Sequence, residues 1–181
     1  MKKIVAMMLA LMMVLGMASF ANAEGSQVVN TMFGGGTPQY MDPALNSASV
    51  GGNYIRNSFV GLMGYTLDAD GKTVFGPELA EKVDVSDDGL TYTFTLRQGL
   101  KWSDGSDFKA SEVASSWNRA ASPDLGADYG FLFDYIAKNE DGTLNVVTDD
   151  AAGTVVVTLV NPCAYFLNLC AFTTFYPVKV E

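Results

Sequence analysis

No histidine occurs anywhere in the 181 residues, which carry twenty carboxylates and two cysteines. A Ser-His-Asp or Cys-His nucleophile system is therefore out of reach. So is a histidine-based zinc site, and two thiolates cannot build a four-cysteine one. Acid–base chemistry is left to carboxylates, lysines and tyrosines. Two acids facing each other across a cleft would suit glycoside hydrolysis. Four aspartates, however, belong to Asp-Gly dipeptides at 70–71, 88–89, 104–105 and 141–142. That dipeptide marks a tight turn, because glycine tolerates positive φ. Most of the remaining acids read as solvated. The composition offers little for an enzyme to work with, and a small secreted carboxylate hydrolase is the reading left on that side.

Three further patterns invite a ligand and give little support to one. Gly34-Gly35-Gly36 could cradle a phosphate, but no Gly-Lys-Ser/Thr follows and no helix starts there. Asp68 to Lys72, DADGK, resembles the start of a calcium loop yet lacks the glycine at position six and the glutamate at position twelve. It reads as a hairpin turn. Cys163 and Cys170 would share a face of a helix, but with about 10.5 Å of rise between them. A disulfide needs Cα atoms within roughly 7 Å. Two buried thiols acting as small apolar residues is one reading; a local clip in a tight non-helical loop is the other. No metal or cofactor is expected.

The N-terminus reads as an export signal. Lys2 and Lys3 precede an apolar run at 4–20, and Ala21-Asn22-Ala23 fits a small-x-small cleavage site, with the cut between Ala23 and Glu24. An uncleaved anchor is the alternative, since the run is long for a signal. Loss of Lys2 and Lys3 on cleavage deepens the formal charge from −9 to −11. Such acidity argues against nucleic acid as a partner and against docking on anionic lipid by surface charge. No second segment is apolar enough to span a bilayer. The expected location is the periplasm or the exterior of the cell envelope, with membrane association only through a partner or an uncleaved signal.

Positioning elements follow from periodicity. Residues 26–32 read as a first strand and 50–64 as an amphipathic helix, with Tyr54 or Ile55, Phe59, Leu62 and Met63 on one stripe. Tyr65-Thr66-Leu67 and Thr73-Val74-Phe75 flank an Asp-Gly turn. In the strand 91–96, Tyr92, Phe94 and Leu96 point one way and three threonines the other. A helix over 110–121 places Val113, Trp117 and Ala121 on one stripe. A second helix is expected over 125–137, with Tyr129, Leu132, Phe133 and Ile136 inward. Residues 144–147 and the β-branched run 154–160 read as strands. Four Asp-Gly turns imply a small, largely antiparallel sheet with few helices laid on it.

The string from 86 to 117 closely resembles the signature region of the extracellular solute-binding proteins of family 5, the oligopeptide/dipeptide/nickel receptors of ATP-binding-cassette (ABC) importers. It carries an alternating strand, Leu96-Arg97-Gln98-Gly99, Lys101-Trp102-Ser103-Asp104-Gly105 and Ser116-Trp117. Further matches in order are Met41-Asp42-Pro43-Ala44, Phe59-Val60-Gly61-Leu62, Pro77 to Glu81, Asn161 to Leu167, and Phe175-Tyr176-Pro177-Val178. One departure stands out. Where the family usually has threonine as cap of the 110–121 helix, this chain has Lys109, which cannot accept the free N–H groups; the loss costs about 1 kcal/mol. Ser111 could cap a helix begun two residues later.

The resemblance implies an α+β chain of the class II periplasmic-binding-protein kind: signal peptide 1–23, the start of lobe I at 24–65, and an inserted, mostly antiparallel β subdomain at 66–181. Family members are longer, so a fragment is expected, with residues 24–65 short of packing partners. The resemblance implies a binding protein and not an enzyme, one that captures peptides (oligopeptide or dipeptide) for an ABC importer, with the transmembrane permease subunits as partner. The chain by itself is expected to bind weakly or not at all, and nickel chelate and oligosaccharide are not separated from peptide. By resemblance, Asn46, Ser47, Ala48 and Ser49 would line the cleft and offer main-chain groups to an extended peptide, as in strand addition. The plain alternative is a helix-preceding loop with Ser47 or Ser49 as cap. A stand-alone secreted β-rich adhesion module is the other rival.

Overall fold

The computed structural model describes residues 36–180. The export signal with Ala23 and Glu24, the first two glycines of the triple-glycine run and the strand expected at 26–32 lie outside them. In chain order the elements are helix α1 (Ser49–Ser58), strands β1 (Met63–Leu67), β2 (Thr73–Pro77), β3 (Ala80–Val85) and β4 (Thr91–Leu96), and helix α2 (Ala110–Ala121). A 3-10 helix (Gly130–Tyr135), β5 (Val146–Asp149), β6 (Thr154–Thr158), a single turn α3 (Phe166–Leu169) and a second 3-10 helix (Thr173–Phe175) complete it. Among the described residues all strand pairs are antiparallel: the hairpin β1-β2 and a four-stranded sheet in the order β3-β4-β6-β5.

Strand β4 behaves as its alternation requires. Tyr92, Phe94 and Leu96 are buried while the threonines between them are half-exposed. Its register sets Phe94 opposite Val155 and Tyr92 opposite Val157, so the apolar faces of β4 and β6 coincide. Helix α2 lies against β5 and β6 and buries Val113 and Trp117 completely. The Trp117 ring meets Phe175 edge-on at 5.3 Å, and Phe133 stacks on Phe175 at 4.2 Å. This aromatic cluster is the centre of the core. Ring pairs add about 0.5–1.5 kcal/mol each beyond the area they bury.

All four Asp-Gly glycines have positive φ, between +68° and +85°. In three turns the aspartate carboxylate accepts the N–H two residues on, from Leu90, Ser106 and Thr143. In the fourth the acceptor is Asp68, two residues before the Asp-Gly pair, whose carboxylate takes the N–H groups of Asp70 and Lys72, two and four residues on, within the β1-β2 hairpin turn.

Four expectations need correction. The helix expected at 50–64 ends at Ser58, because Phe59 turns extended (φ −125°, ψ 160°). Leu62 and Met63 are buried not on a helix but on an extended segment, where Gly61 and Leu62 carbonyls accept N–H bonds from Glu78, Leu79 and Ala80. Gly61 permits this approach: a Cβ there would fall 2.6 Å from the Cys170 carbonyl. The helix expected at 125–137 is instead a turn and the short 3-10 helix; Gly126 has φ +65°, and residues 136–138 must run extended to bridge Leu159 and Leu144. Of its expected inner stripe, Phe133 and Ile136 are buried and Tyr129 and Leu132 are only half-buried.

Ser111, thirdly, is no cap. It sits inside α2, and its N–H and hydroxyl both donate to the Asp150 carboxylate, at 2.8 and 2.9 Å. A loop 39 positions away therefore supplies what Lys109 cannot, and Glu112 completes the end by accepting the Lys109 N–H. Fourthly, the described part of the 24–65 segment, residues 36–65, does not lack partners: Ala44, Leu62 and Met63 belong to the same buried cluster as Trp117 and Phe133. Cys163 and Cys170 are both buried free thiols.

Candidate functional site

The candidate loop begins at Asp42. Its carboxylate accepts the Ala44 N–H at 2.8 Å, and its carbonyl accepts those of Leu45 and Asn46. Pro43 contributes a fixed φ to the same turn. The carboxylate also takes a two-pronged bond from the Arg119 guanidinium, 2.5 Å at the nearer oxygen. Both side chains are about 70% covered (27% and 30% exposed), so this pair is screened less than a surface one. It ties the loop to α2.

Asn46 is buried. Its amide donates to the Ala48 carbonyl at 3.0 Å, and its amide oxygen lies against Gly51, where a Cβ would come within 2.0 Å. The Ser47 hydroxyl donates to Asp128 across the chain at 2.6 Å. Ala48 is extended (φ −104°, ψ 145°) and occupies the cap position of α1 with no side-chain bond. Neither serine is therefore the helix cap. Ser47, Ala48 and Ser49 are exposed, and their N–H groups have no partner among the described residues.

Asn46, Ser47, Ala48 and Ser49, singled out from the sequence, line one recess of about 120 Å³. Its other walls are Gly52 and Arg56 of α1, and Tyr129, Phe172 and Thr173. The rings of Tyr129 and Phe172 meet edge-on at 5.2 Å. Arg56 donates to Asn53 at 2.9 Å and remains exposed. Arg56 lies one helical turn after Gly52, a spacing that could have found it; Tyr129, Phe172 and Thr173 arrive by tertiary packing and leave no local signal. The space suits a peptide unit or small side chain. Among the described residues, no cluster of three or more His, Cys, Asp or Glu is placed to hold a metal.

The long signature string does something else. Trp102 donates from its indole to Glu112, Trp117 to the Phe175 carbonyl, and Ser116 exchanges two bonds with the Val178 main chain. Lys179 bonds Asp104 and Ser106. These residues hold the scaffold and none lines the recess.

The model of the bacterial extracellular solute-binding proteins, family 5 Middle, matches residues 74–181. The chain belongs to this family. Among curated relatives, it is 37% identical over 149 residues to the oligopeptide-binding protein OppA of Bacillus subtilis, covering 78% of this chain and 27% of that one. To the glutathione-binding protein GsiB of Salmonella typhi it is 40% identical over 131 residues, 72% of this chain and 23% of that one. Among solved structures, the substrate-binding domain of an oligopeptide ABC transporter from Bacillus anthracis superposes with a TM-score of 0.67 at 33% identity, over 77% of this chain and 27% of its own. Listeria monocytogenes OppA bound to peptide gives 0.66 at 36%, over 76% and 28%. The described residues thus have the fold of part of a class II, OppA-type solute-binding protein. The chain spans about a quarter of the length of the curated relatives it matches.

Proposed function

We propose that this family 5 protein captures peptides outside the cytoplasmic membrane for an ABC importer, and that it works by binding and not by chemistry. The observation that carries the reading is the exposed main chain at Ser47, Ala48 and Ser49, extended at Ala48 where it enters α1, whose N–H groups face no partner among the described residues beside a recess. An extended peptide can add to such an edge through main-chain bonds, which gives affinity without demanding a particular sequence. Oligopeptide- and glutathione-binding relatives share that ligand chemistry, a peptide backbone. Asn46, Ser47 and Arg119 serve as positioning residues that hold the edge in place.

Delivery to the transmembrane permease subunits, and residence in the periplasm or on the envelope exterior after signal cleavage at Ala23-Glu24, complete the proposal. Amide hydrogen exchange tests it. Saturating tri- and tetrapeptides of unrelated sequence should slow exchange at residues 47–49 and leave the β4 amides unchanged. Exchange at 47–49 that is unaltered by any peptide refutes the role assigned to this loop.

A further inference from the structure

A second recess, of about 450 Å³, lies elsewhere on the molecule and shares no residue with the first. Phe131, Asp134, Tyr135, Val160, Pro162 and Tyr165 supply its principal walls. Four of these are large apolar or aromatic side chains left open to solvent: Phe131, Tyr135, Val160 and Tyr165 are between 36% and 60% exposed. Phe133, in the same 3-10 helix, is fully buried in the aromatic core. The exposed rings therefore add little to the fold.

The Tyr135 and Tyr165 rings stand at 84° with centroids 5.6 Å apart, and their hydroxyls are hydrogen-bonded to each other. They form a corner with two aromatic faces. Its frame is fixed: the Tyr135 carbonyl accepts the Val160 N–H at 3.0 Å, and the Cys163 carbonyl accepts both the Phe166 N–H and the Tyr92 hydroxyl. The shared hydroxyl bond pushes the Tyr165 phenol up to about 12. Asp134 adds a carboxylate to the same lining, where it accepts a bond from exposed Lys138 at 3.0 Å.

We infer that this corner is a docking site for an arginine side chain presented by a polypeptide partner. Aromatic faces attract a cation through their quadrupole. A flat guanidinium is favoured over an ammonium because it is weakly hydrated, stacks on a ring and still offers in-plane donors to a carboxylate. The formal charge of −9 favours approach of a basic partner. The inference does not depend on the peptide reading of the Ser47–Ser49 loop.

The test is titration of the protein with N-acetyl-arginine amide, with lysine and leucine amides as controls, followed by tyrosine ring signals in NMR. Arginine should give saturable shifts at Tyr135 and Tyr165 in the millimolar range, with lysine at least threefold weaker and leucine not saturating. Tyr165→Leu, which keeps apolar bulk but removes a π face, should weaken the arginine effect at least fivefold. Asp134→Asn should weaken it two- to threefold. Both positions are exposed, so melting should move little. Equal response to leucine amide, or retention of the arginine shifts in Tyr165→Leu, would overturn the inference. So would the absence of saturation with arginine.

Discussion

Gly51 and Gly52 are neighbours in the first turns of α1, and replacing each with alanine should move stability in opposite directions. Alanine is favoured over glycine within a helix by about 1 kcal/mol, so propensity alone makes both changes stabilising. Space separates them. A Cβ at Gly52 would meet the Arg56 guanidinium at 3.4 Å and the Asn46 amide nitrogen at 3.5 Å, which is ordinary contact. A Cβ at Gly51 would lie 2.0 Å from the Asn46 amide oxygen and 2.5 Å from the Tyr40 carbonyl. Asn46 is buried and cannot swing out freely, and Tyr40 contributes main chain. Overpacking of this kind costs about 1–3 kcal/mol, which outweighs the propensity gain. Gly52→Ala should stabilise by about 0.5–1 kcal/mol and Gly51→Ala destabilise by about 1–2. At this size 1 kcal/mol is about 2–4 °C in melting temperature. Urea and thermal unfolding of the two variants measure the difference. If Gly51→Ala melts as high as Gly52→Ala, the tight seating of Asn46 under α1 is wrong.

Other outcomes follow from the same geometry. Asp150→Ala, which strips the cap from α2, should cost about 1 kcal/mol, and Lys109→Ser should recover most of that by supplying a local acceptor; a urea-denaturation double-mutant cycle showing strict additivity would count against shared capping. Ser116→Ala should cost about 1–3 kcal/mol in equilibrium unfolding, because it leaves both main-chain groups of Val178 without their side-chain partner. Acid titration carries a sign for each group. Asp88, Asp104, Asp107 and Asp141 are held below the usual carboxylate range, chiefly by hydrogen bonds from Ser86, Lys179, Lys101 and Thr143 respectively. Their contribution is present above about pH 4, the unfolded value, and is lost as pH falls through the lower folded values. Glu78 runs the other way. Burial raises its pKa, partly offset by the Gly61 N–H, so its contribution is present below about pH 4.3 and lost as pH rises through the raised value. The wild-type stability advantage over Glu78→Gln should therefore shrink, or reverse, between pH 4 and 7 in urea titrations.

What the sequence revealed and what it hid divide along a physical line. Strand β4, the β1-β2 hairpin and α2 were legible because their signals are local: alternation, Asp-Gly turns and a 3.6-residue stripe. The residues at 59–63 misled because Phe59, Leu62 and Met63 fall by chance at helical spacing, while Gly61 and the pairing with 78–80 make them extended. Tyr129 to Ile136 misled for a related reason, since a bridge to Leu159 stops the helix. The missing cap at Lys109 was visible, but its replacement, Asp150, was not, because nothing local marks a loop that docks from 39 positions away. At the recess, Asn46 to Ser49 were placed by resemblance alone. Composition could not select them, and Tyr129, Phe172 and Thr173 carry no pattern that points there.

The contrast between the signature string and the loop shows how one chain divides its polar groups. In the string, nearly every polar side chain that marks the family ends on a named internal partner: Trp102 on Glu112, Ser116 on Val178, Trp117 on Phe175, Asp104 on Ser106 and Lys179. Such bonds are each worth only about 0.5–1.5 kcal/mol net, yet leaving a buried partner unmade costs more. That asymmetry ties the string to this fold, and none of these residues lines the recess at the 46–49 loop. The loop at 46–49 has the reverse pattern. Its polar side chains bond within the chain, Asn46 to Ala48 and Ser47 to Asp128, while the main-chain donors of Ser47, Ala48 and Ser49 have no partner among the described residues. On the reading proposed above, a loop built this way fixes the position of main-chain donors and leaves side-chain preference to other walls.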